Sequence, residues 1–335
     1  MLRPIQVRHH LSFMRNRGFS AREVLAGSKI EAAKLEDPAY LVSPDCCHRV
    51  VRNIVALTRD SGIGLKMGSA MGLGELGIVG YAMASSSNLG EAVALWLQYG
   101  NSPVGFPFTL KAVDDPGAGT WGIIALSNGM SGAIYRFYVE EILAMGVNFL
   151  KISTGLDVRL VEIQFAYPKP SHHRLYEQLF DCPISFDAAR TQALVLSPSP
   201  ETPVKSNDSE LRELCIRHCS QVVRHISQHG PVSARLRALL TARGSMLALD
   251  QAAEAMNLGP RTLRRKLKAE GSSFQAILDE LRADLAREYL AAGLLPTKEI
   301  AFRLGFSDVE SFRRAFKAWT GMIVGTYIDS VRKAR

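Results

Sequence analysis

Arg261, Arg264, Arg265 and Lys268 have counterparts 49 residues later in Glu310, Arg313, Arg314 and Lys317. Both groups run at spacings of three, four and seven, so on an α-helix each occupies one face. A face of that kind suits a nucleic-acid duplex. Lysine and arginine neutralise backbone phosphates and release counterions, and a guanidinium grips guanine O6 and N7 with two hydrogen bonds worth about 1–3 kcal/mol of discrimination. Glu310 can accept from the amino group of cytosine. The candidate DNA-contacting residues are Arg261, Thr262, Arg264, Arg265 and Lys268 in the first group, and Val309, Glu310, Arg313, Arg314 and Lys317 in the second. The lysines at 268 and 317 are expected on phosphates.

Such rows need elements that hold them out. In the first copy Leu249, Ala252, Ala253 and Met256 form a short apolar helical face, and Asn257-Leu258-Gly259 reads as a turn. Pro260 suits the first turn of a new helix, where its fixed φ and missing donor cost nothing. Leu263 and Leu267 then face inward. The second copy has Ile300, Ala301 and Leu304, a turn at Gly305-Phe306-Ser307, and an inward set of Phe312, Ala315, Phe316 and Trp319. Asp308 stands where a helix starts and where the dipole favours an acid. Upstream parts match at an offset of 48 and downstream parts at 49, so the second turn gains one residue. Two helix-turn-helix candidates thus span 249–271 and 297–321. Between them Phe274, Ile277, Leu278, Leu281, Leu285 and Tyr289 predict one amphipathic helix over 274–292. At 1.5 Å per residue it is about 28 Å long, against about 34 Å between successive major grooves. The first row carries no acid and is expected to supply more affinity; the second mixes signs and is expected to depend more on sequence.

Residues 231–335 resemble the DNA-binding domain of the AraC family of bacterial transcription regulators. The carrying motifs are Leu258-Gly259-Pro260-Arg261-Thr262-Leu263-Arg264-Arg265 and Ile300-Ala301-Phe302-Arg303-Leu304-Gly305-Phe306-Ser307-Asp308, continued by Phe312-Arg313-Arg314-Ala315-Phe316-Lys317-Ala318-Trp319-Thr320-Gly321. The chain departs from the family pattern after Gly321, with Ile323-Val324 in place of a Ser/Thr-Pro pair, and Ile328 in place of a basic residue. The resemblance implies an all-α domain of two helix-turn-helix motifs joined by a long helix, with double-stranded promoter DNA and RNA polymerase as partners.

Charge follows the same division. At 335 residues the chain is long enough for two domains. Residues 230–335 hold 18 Lys+Arg against 11 Asp+Glu, a net of +7, whereas residues 1–229 hold 22 against 21, a net of +1. No uninterrupted apolar run of about 18 residues is present, and the arginine-studded start lacks an apolar signal core. The expectation is a cytoplasmic protein that engages no membrane. Five cysteines argue against a disulfide framework. Cys215 and Cys219 lie one helical turn apart with His218 between them; they read as small hydrophobes of an amphipathic helix, with a redox or metal sensor as the alternative. No metal site and no cofactor are expected.

Ser197-Pro198-Ser199-Pro200-Glu201-Thr202-Pro203 marks a linker after a first domain of residues 1–196. That domain reads as mixed α+β, with helices at its start and strands at 108–113, 121–126, 158–165 and 193–196. A long helix, marked by Ile134, Phe137, Tyr138, Ile142, Met145 and Phe149, falls between the second and third strands. The passage Gly68 to Gly80 lacks the strand and helix that a dinucleotide fingerprint requires and reads as a flexible lead into a helix at 89–99. Catalytic constellations do not assemble: no Gly-x-Ser-x-Gly elbow occurs. Glu140 and Glu141 would point about 100° apart on a helix, so at least one is expected at the surface. His172-His173 is expected to open a solvated helix.

Gly77-Ile78-Val79-Gly80-Tyr81-Ala82-Met83-Ala84-Ser85-Ser86, Leu89-Gly90-Glu91-Ala92, and Leu179-Phe180-Asp181-Cys182-Pro183-Ile184-Ser185-Phe186 resemble the ligand-binding domain of one AraC branch, that of OruR, VirS and VqsM. The resemblance implies sensing of a small-molecule effector and no enzymatic activity. Candidate ligand-binding residues are Trp96, Trp121, Tyr135, Arg136, Tyr138 and Glu140, with Tyr99 and Phe106 as further aromatics. Within the segment 197–230, Leu211, Leu214, Cys215, His218, Val222 and Ile226 form a stripe that can pair protomers into a homodimer or dock on its own domain. The expected protein is an activator under effector control, with a ligand-independent activator as the other reading.

Overall fold

The computed structural model describes residues 4–37, 40–101, 109–115, 117–126, 130, 132–229, 231–243, 247–292 and 295–333. The chain divides into two units, Met1–Val223 and Arg224–Arg335.

The first unit is α+β. Helices α1 (Ile5–Arg15), α2 (Ala21–Val24), α3 (Pro44–Thr58), α4 (Ile63–Ala70), α5 (Ile78–Ala84) and α6 (Leu89–Gly100) precede the hairpin of β1 (Thr109–Asp115) and β2 (Thr120–Leu126). Helix α7 (Gly132–Thr154) then leads to β3 (Arg159–Gln164), α8 (His173–Phe180), β4 (Ile184–Ser185) and β5 (Thr191–Ser197). The sheet runs in the order β1-β2-β5-β3-β4, antiparallel except where β3 meets β4. Four strands coincide with those read from the sequence, though Phe108 lies outside the described residues. The two-residue β4 is too short to leave a periodic signal.

Between Tyr135 and Leu150 no residue of helix α7 is exposed. Leu143, Gly146, Val147 and Leu150 share a cavity wall with residues of β2, β3 and β5, while Phe137, Glu141 and Ala144 meet α4. A Cβ built on Gly68 would stand 2.1 Å from the Glu141 carbonyl oxygen, and one on Gly64 would stand 2.7 Å from that of Phe137. Backbones that close leave no room for a side chain. The passage expected as a flexible lead is therefore α4, a 3-10 turn and α5, and Gly68 serves close helix packing.

The proline-rich stretch after β5 runs along the first unit. Trp121 Nε1 donates to the Pro198 carbonyl at 2.9 Å, and the N–H groups of Gly90 and Leu89 donate to the carbonyls of Pro200 and Thr202 at 2.7 and 3.0 Å. Helix α9 (Ser209–His229) follows. Arg212 pairs with Glu91 at 2.7 Å, the Ser220 and Tyr99 hydroxyls lie 3.0 Å apart, and Cys215 and Cys219 are buried. Leu211, Leu214 and His218 are exposed. The single stripe expected on this helix is thus split between two sides, and the side chain of Ile226 lies outside the described residues.

The second unit is helical: α10 (Val232–Arg243), α11 (Leu249–Ala255), α12 (Pro260–Ala269), α13 (Phe274–Ala292), α14 (Thr297–Arg303), α15 (Val309–Thr320) and α16 (Val324–Lys333). It holds two cores. One gathers Leu236, Leu240, Ala253, Leu263, Leu267 and Ile277; the other gathers Ala286, Leu290, Ile300, Leu304, Phe312 and Phe316. The first half of α13 closes the former and its second half the latter. Helices α10 and α16 were not legible as separate elements. Glu270, just beyond α12, accepts from the N–H groups of Val232 and Ser233 at 2.7 and 2.8 Å and so caps α10, where the dipole favours an anion. Val324 opens α16 at the family's proline position and is buried, so an apolar contact stands where the pattern has a ring. At the start of α15, Asp308 accepts from the Ser311 N–H at 2.7 Å.

Gly68→Ala is expected to cost about 3 kcal/mol through overpacking, read as a lower urea midpoint for the first unit; an unchanged midpoint would mean that α4 and α7 can separate freely. Hydrogen bonds from Ser311 hold the Asp308 carboxyl below its ordinary value. Its stabilising contribution is therefore present above the unfolded-state pKa and is lost as pH falls through the lower folded value. Calorimetry of Asp308→Ala should show a lower Tm for the second unit at neutral pH, with the gap to the parent closing below about pH 4.

Candidate nucleic-acid interface and effector site

The two turns are built alike. After α11, Asn257 takes a left-handed conformation at φ 53°, and the Leu258 N–H returns to the Ala253 carbonyl at 2.9 Å. After α14, Gly305 takes φ 81°, and the Phe306 N–H returns to the Ala301 carbonyl at 3.0 Å. Asparagine and glycine are the residues that adopt this conformation most readily, and both hydrogen bonds obey the 48-residue offset.

Beyond the first turn, Pro260 occupies the first helical position of α12 with Gly259 as its cap. Leu263 and Leu267 are fully buried. Arg261, Arg264, Arg265 and Lys268 are exposed, and Thr262 is half-buried. Among the described residues none of these four cations has a carboxylate partner within ion-pair distance. Beyond the second turn, Phe312 and Phe316 of α15 are fully buried. Glu310, Arg313, Arg314 and Lys317 are exposed and Val309 is half-buried. Arg313 pairs with Glu310 at 2.6 Å, and Arg314 donates to Ser311 Oγ at 3.2 Å. The first row is bare charge, whereas the second is partly compensated within its own helix. Sequence reasoning missed Arg282 of α13, whose guanidinium stands 5.2 Å from the centre of the Phe306 ring and ties the spacer helix to the second turn. Its only signal was a cation on an otherwise apolar stripe.

In the first unit the six ligand candidates do not converge. Trp96 and Trp121 line a cavity of about 50 Å³ between α6, α7 and the sheet. The Tyr135 hydroxyl donates to the Ala125 carbonyl at 3.1 Å and lies 2.9 Å from Thr191 Oγ1. Arg136 stands 3.9 Å from Glu140. Tyr138 is buried, edge-on to His48 with ring centres 5.9 Å apart. Phe106 lies outside the described residues.

Glu140 and Glu141 are each 1% exposed. The expectation that one of them reaches solvent fails because the middle of α7, residues 135–150, has no exposed residue, so a 100° separation only sends the two carboxylates to different neighbours. Glu141 pairs with His10 at 2.6 Å. Glu140 takes His172 Nε2 at 2.7 Å and the Tyr176 hydroxyl. His172, expected in solvent, is thus held at the start of α8. Burial pushes the Glu140 carboxyl up, against the opposing hydrogen bonds from His172 and Tyr176. Burial and the adjoining Glu140 push the Tyr176 hydroxyl up as well. Among the described residues no group of three or more His, Cys, Asp and Glu is arranged to hold a metal ion, and no helix is long and apolar enough to cross a membrane.

Comparison with known proteins gives these two sites a context. Residues 18–199 match the family described as the N-terminal arabinose-binding domain of AraC transcription regulators, and residues 252–330 match a helix-turn-helix domain. The ornithine utilization regulator of Pseudomonas aeruginosa is 30% identical over 314 residues, covering 93% of this chain and 92% of that protein. An uncharacterized HTH-type transcriptional regulator of Mycobacterium tuberculosis is 27% identical over 340 residues, covering 97% of each. The crystal structure of the regulator CdpR from Pseudomonas aeruginosa aligns over 98% of this chain and 99% of that one, at 21% identity and a TM-score of 0.46. With a family model matched over residues 18–199, more than half of the chain, and a relative at 30% identity along nearly all of it, the chain is a DNA-binding regulator and belongs to the AraC family of transcription regulators.

Proposed function

We propose that this regulator is a cytoplasmic activator that grips promoter DNA through residues 231–335 and answers to a small molecule bound within residues 1–196. The carrying observation is the uncompensated row on α12, where four exposed cations stand over two fully buried leucines. In this reading Arg261, Arg264 and Arg265 meet base edges or the sugars beside them, with Thr262 at the groove floor. Arg313 and Arg314 read the second site, flanked by Val309 and Glu310. Lys268 and Lys317 hold phosphates. The Glu310 contact to Arg313 is exchanged for a base on binding, which makes the second head weaker and more selective.

Effector and DNA binding are coupled with equal strength in both directions. The outward side of α9, bearing Leu211, Leu214 and His218, supports pairing of two copies on repeated half-sites within the 197–230 segment. RNA polymerase is the partner that turns occupancy into transcription. The name of the ornithine utilization regulator supports a metabolite as the class of signal. Cys215 and Cys219 favour a packing role over redox sensing: they are 2% and 1% exposed, and burial pushes the Cys215 thiol up, away from the reactive thiolate.

Promoter binding in a salt titration separates the roles. Lys268→Ala should weaken specific and random DNA alike and reduce the salt slope by about one. Arg264→Ala should cost about 1–3 kcal/mol on the promoter with a smaller loss on random DNA; an equal loss on both would remove its base-reading role. Replacing both Cys215 and Cys219 by alanine should leave the transcriptional response to peroxide and to metal ions unchanged, whereas an altered response would restore the sensor reading.

A further inference from the structure

The cavity between α6, α7 and the sheet has a wall composition that restricts what it can accept. Val93 and Trp96 come from α6, Leu143 and Val147 from α7, and Leu160 and Val195 from the sheet; no charged side chain takes part. The indole N–H of Trp121 is already committed to the Pro198 carbonyl. A carboxylate or ammonium entering this space would lose its hydration and find no side chain of opposite charge, a loss of several powers of ten in affinity. Carbon placed there loses nothing of the kind and gains close contact.

Neither acid of α7 lines this cavity. Glu140 accepts from His172 and Tyr176, its other oxygen lies against Gly64, and one oxygen of Glu141 is engaged by His10. At about 50 Å³ the cavity is roughly a third of an engineered space that takes a benzene ring, so an occupant must enlarge it. One wall has slack for that. A Cβ built on Gly146 would meet the Trp96 ring at 3.9 Å, an ordinary contact, so the indole faces a helix position that carries no side chain.

We infer that the effector of this regulator is an uncharged, largely hydrocarbon molecule whose apolar part enters between Trp96 and Gly146. The inference rests on the reading that the first unit binds an effector, and it names the chemical class. Gly146 is the residue that keeps the space available. Alanine there fills part of it and also favours the helix over glycine, so Gly146→Ala should raise the melting temperature of the protein while weakening its ligand. A merely structural role for Gly146 predicts a lower melting temperature.

Thermal unfolding of the full chain with toluene, and with benzoate as its charged analogue, tests the inference. Toluene is expected to raise the Tm of the parent, benzoate to leave it unchanged, and Gly146→Ala to lower the toluene affinity obtained from the Tm shifts roughly 10- to 200-fold, as for one methylene in an apolar pocket. Should Gly146→Ala not fold, Ala193→Val narrows the same space from β5 and should behave likewise. A benzoate shift, no toluene shift, or a toluene shift undiminished in the variants would each overturn the inference. If a library of charged metabolites stabilises parent and Gly146→Ala alike, the effector reading survives and the apolar site is wrong. If no compound of either class shifts Tm or promoter binding, both readings fall.

Discussion

The second unit depends on one constraint: two small cores must close on the same helix. Each helix-turn-helix pair buries only a handful of side chains, too few to hold a basic helix in register alone. Helix α13 supplies the missing wall twice, Ile277 and Leu278 to the first core and Ala286 and Leu290 to the second. Because a helix of 19 residues is stiff, the separation of α12 from α15 is fixed by covalent geometry at 1.5 Å per residue. Arg282 over Phe306 pins the second turn to the same rod.

Legibility in the sequence tracked how one-sided each helix is. Helices α12 and α15 have one buried face and one charged face, so Leu263, Leu267, Phe312 and Phe316 announced the core and the arginines announced the surface. Helix α13 fell on residues 274–292 as expected for the same reason. The first unit hid its logic because the middle of α7 has no exposed face. Periodicity in such a helix carries no direction, and adjacent acids looked like surface residues when both were buried. The partners that make this possible, His10 and His172, lie 131 and 32 residues away from their carboxylates, a distance no local pattern reports. Gly68 was visible as a glycine, but its packing role depends on Glu141 and Ala144, more than seventy residues downstream.

The effector candidates show the same limit from another direction. Aromatic and charged residues of one helix were grouped because they were neighbours in sequence, whereas the fold sorts them by angle: Tyr138 toward His48, Arg136 and Glu140 toward α8, and the carbon-lined wall toward the sheet. What divides a polar network from an apolar cavity in this unit is a rotation about α7, which is why a single helix can stabilise the domain on one side and leave space on another.

Glu270 has a mechanical consequence. Its carboxylate bridges the end of α12 to the first two N–H groups of α10, and α10 is the first helix the chain enters after α9. The start of α10 is therefore fastened to the end of α12, while Arg237 fastens the same helix to Glu280 of α13. A displacement of α10 would thus reach α12 directly and α15 by way of α13, so the two helices that carry the exposed cations share one mechanical entry point.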